Sequence, residues 1–435
     1  MTATIEPRTR PRLHRAWWVA GVTLLGLISA AAFRSTTGVM LEPLEADFGW
    51  SRATTSFAVT LNLMVYGLTA PFAAALMERF GVRRVATIAL ALVSVAMTAT
   101  LFMQTAWQLW LLWGFGVGIG TGALALVFGA VVANRWFEAR RGLVTGVFSA
   151  ASSTGQLVFL PAVAYLANGP GWQWAAGLVG AFALVLAPLT WWLLRDHPAD
   201  VGLLPYGADP ATYVEPAPTR GGESAAGFAV RVLRESARSR VFWILMVTFW
   251  ICGWSTNGLI GTHFVPAAHD HGMPATTSAG LLALVGIFDI LGTVASGWLT
   301  DRVDSRYLLF AYYGLRGLSL LVVPWVLAAT VKPSLFVFIV FYGLDWVATV
   351  PPTVALCRQH FGLQRSSVVF GWVYASHMIG AGVAASFAGF VRQQAGDYFA
   401  AWMTAGGLCL GAAALCLLMP RHRVENVDTT TTAQM

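Results

Sequence analysis

The sequence predicts an all-α integral membrane protein, with twelve transmembrane helices in two pseudo-symmetric six-helix bundles and both termini in the cytoplasm. Three observations predict it: too few charges for a soluble surface, twelve apolar runs of spanning length, and a loop motif that recurs in the second half. Of 435 residues, 57% are hydrophobic and 11% charged, whereas a soluble globular chain is about 25% charged. Mean hydropathy is +0.65. A membrane helix needs roughly 20 apolar residues, so twelve would use about 240 and leave ample chain for loops. That composition excludes secreted disulfide scaffolds, nucleic-acid binders and disordered chains.

The apolar stretches, spans 1 to 12 in chain order, lie at about 17–41, 54–77, 84–104, 107–134, 142–167, 173–194, 241–265, 275–300, 307–330, 333–357, 366–391 and 397–419. The predicted organisation is a tail at 1–16, a first bundle at 17–194, a linker at 195–240, a second bundle at 241–419 and a tail at 420–435. Pro198, Pro205, Pro210, Pro216 and Pro218 mark the linker as a loop. It ends in a basic amphipathic piece, Phe228 to Arg240, which is expected to lie on the membrane surface. Cys252, Cys357, Cys409 and Cys416 all fall inside apolar runs without paired spacing, so they read as small hydrophobes and not as a disulfide or metal site.

The net charge of +7 is informative through its placement. Tails and even-numbered loops together hold 22 of the 27 Lys and Arg residues, and the other side holds only Arg52, Lys332 and Arg392. The positive-inside rule therefore puts both termini in the cytoplasm. The Arg-rich start followed by Ala30-Ala31-Ala32 also has the form of a secretory signal, but an internal repeat requires the first span to stay.

That repeat pairs loop 2–3, Ala74-Ala75-Leu76-Met77-Glu78-Arg79-Phe80-Gly81-Val82-Arg83-Arg84, with loop 8–9, Gly297-Trp298-Leu299-Thr300-Asp301-Arg302-Val303-Asp304-Ser305-Arg306. Glu78 and Asp301 are 223 residues apart, as are Arg135 and Arg358. Gly146/Gly371, Ala150/Ala375 and Gly155/Gly380 match at 225. Two similar halves of six spans place a binding site at the repeat interface, near the bilayer midplane.

On these loop motifs the chain resembles the major facilitator superfamily along nearly its whole length. Departures are Ala74 for the usual glycine, Glu78 for the commoner aspartate, and Asp304 in place of the second copy's glycine. The glycine-proline-glycine antiporter motif of span 5 is missing between Gly146 and Gly155. Phe48-Gly49-Trp50-Ser51-Arg52 and Arg135-Trp136-Phe137-Glu138-Ala139-Arg140-Arg141-Gly142 are similar to segments of the monocarboxylate-porter and oxalate/formate-antiporter branch. The resemblance implies a secondary transporter that moves a small organic anion, a mono- or dicarboxylate, by alternating access with proton symport. The alternative is efflux or exchange of another small metabolite or drug, with Arg34 structural.

Four ionisable residues fall inside spans: Arg34, Asp289, Arg316 and Asp345. Each costs at least about 2.5 kcal/mol at a span centre and is a functional candidate by default. Arg34 sits about six residues, or ~9 Å, from the expected outer end of span 1. Its permanent charge and forked donors match a carboxylate, and the porter branch is expected to place a functional cation there. The plain alternative is an arginine that snorkels to the interface. Asp289 shares a helical face with Gly286, Thr293 and Ser296, and the branch places an arginine where Thr293 stands. An aspartate on a cavity that alternates between wet and dry can cycle a proton, so Asp289 and Asp345 are the proton-coupling candidates. Arg316 is expected to hold one of the two permanently.

At the 223 offset Arg34 aligns with Asn257, and Asp289 with Tyr66; Ser152 and His377 align at 225. Tyr66, Asn257 and His377 join Arg34 as candidate substrate contacts, with Asn62, Thr256, His263, Ser153 and Gln156 behind them. Glu78, Arg79, Arg83, Asp301 and Arg302 are expected to form a cytoplasmic gate in which charged hydrogen bonds latch the bundles. The alternating glycines Gly114 to Gly122 read as close helix packing. Neither a His-Glu-x-x-His nor a Gly-x-Ser-x-Gly motif occurs, so an enzyme is not expected. No cofactor, metal or nucleic-acid partner is expected either. The expected partners are substrate, proton and lipid, for a monomer in the cell inner membrane.

Overall fold

In the computed structural model the described residues are 14–211, 213 and 223–420, excepting the side chains of residues 34–39, 52, 53, 152, 156, 168 and 275. Twelve helices are long and apolar enough to cross a membrane, and strands are absent among the described residues. Span 1 is Arg15–Phe48, span 2 Arg52–Phe80, span 3 Val82–Thr100, span 4 Ala106–Trp136, span 5 Arg141–Asn168 and span 6 Trp172–Leu193. Span 7 is Arg240–Asp270, span 8 Ala275–Thr300, span 9 Ser305–Val326, span 10 Pro333–Phe361, span 11 Leu363–Ala395 and span 12 Phe399–Leu417.

Within the first bundle span 1 packs along span 5, and span 3 along span 6; the second bundle pairs 7 with 11 and 9 with 12. The peripheral spans 3, 6, 9 and 12 turn apolar side chains such as Ile88, Val95, Leu184, Val322 and Leu417 outward. An apolar outer belt is stable only against lipid. The bundles meet along two seams, span 5 against span 8 and span 2 against span 11. Residues 14 and 420, the described parts of the linker and loops 2–3, 4–5, 8–9 and 10–11 share one face, the terminal face.

The seams exist because glycines let backbones touch there. A Cβ on Gly146 would lie 2.7 Å from the Thr293 carbonyl oxygen, and one on Gly297 would lie 2.8 Å from Gly146 Cα. Any larger side chain must push spans 5 and 8 apart. Gly297→Val is therefore expected to open the terminal face. A cysteine placed there as Ser366→Cys should then react faster with a membrane-impermeant maleimide in the valine variant than without it; equal rates would refute the wedge reading. The glycines of span 4 act similarly, Gly114, Gly118 and Gly122 against span 2 and Gly116 and Gly120 against span 3.

Three features differ from the sequence expectation. The span 1 helix runs on to Phe48, so Arg34 stands fourteen residues before its end, about 21 Å, and not six. Span 10 is two half-helices, Pro333–Asp345 and Val350–Phe361. Pro351 and Pro352 lack the N–H groups that the Val347 and Ala348 carbonyls would need, so the helix unwinds just before them. Span 4 breaks at the pseudo-equivalent point, between Gly118–Ala123 and Leu126–Trp136, which extends the repeat from sequence to backbone.

The third difference is the linker helix, Ala225–Ser236. It lies on protein, not on lipid. Phe228, Ala229 and Val232 are buried, and it packs on spans 2 and 11, one from each bundle. The Trp372 indole N–H donates to the Ala229 carbonyl at 3.0 Å, Arg365 pairs with Glu235 at 2.8 Å, and the Arg79 guanidinium donates to the Glu223 carbonyl. The apolar stripe that suggested a lipid surface is covered by the seam between bundles instead.

Candidate functional site

A cavity of about 1430 Å³ lies between the bundles. Its walls include Leu27, Ala30 and Ala31 of span 1, Asn62 and Tyr66 of span 2, Phe148 and Ser153 of span 5 and Leu124 to Leu126 at the span 4 break. The second bundle contributes Phe249, Thr256 and Asn257 of span 7, Gly286 of span 8, Trp346 and Val347 at the span 10 break, and Tyr374 and His377 of span 11. Thr60, Thr262 and Ser386 border it on the half away from the terminal face, and all three are exposed. The cavity therefore opens to the face opposite the termini.

Its floor is closed by bonds between the bundles. The Tyr66 and Tyr374 hydroxyls are 2.9 Å apart, and the Ser153 hydroxyl donates to Asp289 Oδ2. Nearer the terminal face, Asn134 Nδ2 lies 3.4 Å from Ser366 Oγ. Asp301 accepts from the Gly142 and Leu143 N–H groups at 2.7 and 3.1 Å, so it caps the first turn of span 5 where unsatisfied donors and the helix dipole favour an anion.

Tyr66, Asn257 and His377 thus converge as their repeat positions predict, with Asn257 Nδ2 3.4 Å from His377 Nε2. A π-helical stretch, Trp254–Ile260, holds Thr256 and Asn257; such stretches frequently mark functional sites. Arg34 lies in the helix of span 1, but its side chain falls outside the described residues, as do those of Ser152 and Gln156. His263 faces away from the others, with Nε2 2.8 Å from the Ala385 carbonyl.

The intramembrane charges are divided. Arg316 Nε donates to Asp345 Oδ2 at 2.5 Å, with both side chains buried. Its remaining donors reach the Asp345 carbonyl, the Trp346 carbonyl at 3.2 Å and Cys252 Sγ at 3.2 Å. Asp289, 0% exposed, has no arginine bonded to it among the described residues. Its Oδ1 accepts from Thr293 Oγ1 at 2.7 Å and from the Val347 N–H at 2.9 Å.

Together these groups satisfy the span 10 break. Asp289 takes the freed Val347 N–H, Ser296 Oγ donates to the Ala348 carbonyl at 2.5 Å, and Arg316 takes the carbonyls of Asp345 and Trp346. In a low-dielectric interior such groups must be paired. Sequence reading missed this role of Ser296 and Arg316, although the Pro351-Pro352 pair was the signal for it.

The loop residues do not all latch the bundles. Glu78 pairs with Arg135 at 2.7 Å inside the first bundle. Arg83 donates to the Trp191 carbonyl at 2.6 Å, and Arg302 to the Trp298 carbonyl at 2.8 Å, one turn back in its own helix. Among the described residues only Asp301 of the expected gate bonds directly across the seam, while Arg79 reaches the linker. His269-Asp270-His271 holds an ion pair, Asp270 with Arg392 at 2.6 Å, and no three-residue metal cluster occurs among the described residues.

Two six-span bundles around a central cavity, closed at one end and open at the other, define a membrane transporter. Residues 23–385 match the Major Facilitator Superfamily. The chain belongs to that family, whose members are transporters and not enzymes. It is similar to an uncharacterised transporter of the same superfamily from Bacillus subtilis (strain 168), 25% identical over 88% of this chain and 89% of that one. It is also similar to monocarboxylate transporter 11 of Homo sapiens, 27% identical over 96% of this chain and 86% of that one. Among solved structures, the E. coli fucose:proton symporter superposes with a TM-score of 0.66, at 15% identity over 93% of this chain and 99% of that one.

Proposed function

We propose that this transporter moves a small organic anion, a mono- or dicarboxylate, by alternating access with proton symport. The observation that carries the reading is Asp289, a buried carboxylate beneath the cavity whose bond to Ser153 crosses between the bundles. A carboxylate only accepts hydrogen bonds, whereas its protonated form also donates. Protonation at Asp289 therefore changes the contact that joins the bundles, which is the coupling a symporter needs. Asp345, already neutralised by Arg316, serves as the fixed member of the pair.

Arg34 is the anion contact. Leu27, Ala30 and Ala31 border the cavity, and position 34 continues their i, i+3, i+4, i+7 register. The similarity to a monocarboxylate transporter supports a carboxylate substrate, and the likeness in fold to a proton:sugar symporter is in keeping with proton coupling. With the termini cytoplasmic, as the arginine distribution favours, the cavity faces outward. The protein then works as a monomer in the cell inner membrane.

One observation favours the alternative of efflux or exchange of another small metabolite or drug. Among the described cavity residues none is lysine or arginine, and Phe148, Phe249, Trp346 and Tyr374 give aromatic walls. Thermal stability of purified protein separates the readings. A ligand at 100 times its Kd stabilises by about 2.7 kcal/mol. Small carboxylates are expected to give such a rise and neutral analogues none, and Arg34→Gln is expected to abolish it. Stabilisation by neutral or cationic compounds, unchanged in Arg34→Gln, would establish the alternative.

A further inference from the structure

All four cysteines are buried, yet they differ in what surrounds them. Cys252 borders the central cavity, and the other three do not. Its sulfur lies 3.2 Å from Arg316 Nη1 and 3.2 Å from Thr349 Oγ1. His377 is 8% exposed, borders the same cavity and leaves Nδ1 without a partner among the described residues. Nucleophilic cysteines need polar or cationic neighbours and a path for the electrophile, while thiols packed in apolar surroundings are inert. Cys252, itself 1% exposed, has the first in Arg316 and Thr349 and the second only through the cavity it borders. Cys357, Cys409 and Cys416, in spans 10 and 12, are buried away from the cavity lining.

We propose that Cys252 is a covalent modification site, where small soft electrophiles such as α,β-unsaturated carbonyl compounds add to the thiol from the cavity. One C–S bond forms at the β-carbon, the carbon–carbon double bond becomes single, and the thiol proton ends on the α-carbon. Nothing leaves and no oxidant is needed. The adduct would stand between the Arg316 side chain, the span 10 break and His377, and would occupy part of the floor of the cavity. Its placement does not depend on the substrate or on proton coupling.

The test uses N-ethylmaleimide on the full-length protein in detergent, read by intact mass and peptide mapping. The expected result is a single adduct, on Cys252, formed at least tenfold faster than any other. Cys252→Ser should remain unmodified over the same time while melting as a folded protein. A second variant, with Cys357, Cys409 and Cys416 all changed to alanine, should keep the fast adduct. A first adduct on any of those three, or none before thermal unfolding, would overturn the proposal. Because the readout is mass, its failure leaves the transport reading untouched, and failure of that reading leaves this site standing.

Discussion

Asp289→Asn is expected to abolish accumulation driven by a proton gradient while substrate exchange across the membrane continues. Asparagine keeps the shape of the side chain. Its amide oxygen can still accept from Thr293 and the Val347 N–H, so the span 10 break stays satisfied, and its NH2 can meet Ser153. It cannot take up or release a proton. Proton-driven uptake into vesicles should fall by more than about tenfold, about 1.4 kcal/mol of barrier, with counterflow of labelled substrate retained. Uphill accumulation that survives in Asp289→Asn would remove the proton from this site and the symport reading with it.

The second large effect is on stability. Arg316 and Asp345 form the buried pair joining spans 9 and 10, and Arg316 also takes two carbonyls freed by the break. Removing one member of a buried pair leaves an uncompensated charge and costs about 3–5 kcal/mol. Arg316→Gln is therefore expected to lower the unfolding midpoint strongly and to reduce the amount of protein recovered. Replacing both, Arg316→Met with Asp345→Leu, should recover much of the loss, because apolar pairs of similar volume often substitute without penalty. The recovery will be incomplete, since methionine cannot donate to the Asp345 and Trp346 carbonyls. If the single variant melts with the wild type, the clamp carries no stability.

The two variants also separate the aspartates. Sequence shows two carboxylates and one nearby arginine without saying which carboxylate the arginine holds. Each lies one span from Arg316. The structure decides: span 10 breaks just after Asp345, and Arg316 bonds to the Asp345 carboxylate and to the carbonyls of Asp345 and Trp346 at that break. Asp289 then faces Ser153 and the broken backbone. An aspartate held by hydroxyls and an N–H can change protonation without stranding a cation; one paired with arginine cannot.

Composition and pattern by themselves determined the twelve spans, the two-fold repeat and the four intramembrane charges. Those properties follow from transfer free energies that accumulate residue by residue along the chain, so a linear reading recovers them. The repeat positions were equally legible, and Tyr66, Asn257 and His377 do meet at the cavity. Only the tertiary structure decided what bonds to what. The pairing of Arg316 with Asp345, the bond from Ser153 to Asp289, the Asp301 cap on span 5 and the linker helix lying on protein each join residues distant in sequence. Arg302, expected at the gate, bonds instead to the Trp298 carbonyl and lies over the Trp298 ring. Such contacts depend on angles and separations to within a fraction of an ångström, set by where glycines let helices touch and where prolines unwind them. Hydropathy and spacing carry no term for those distances.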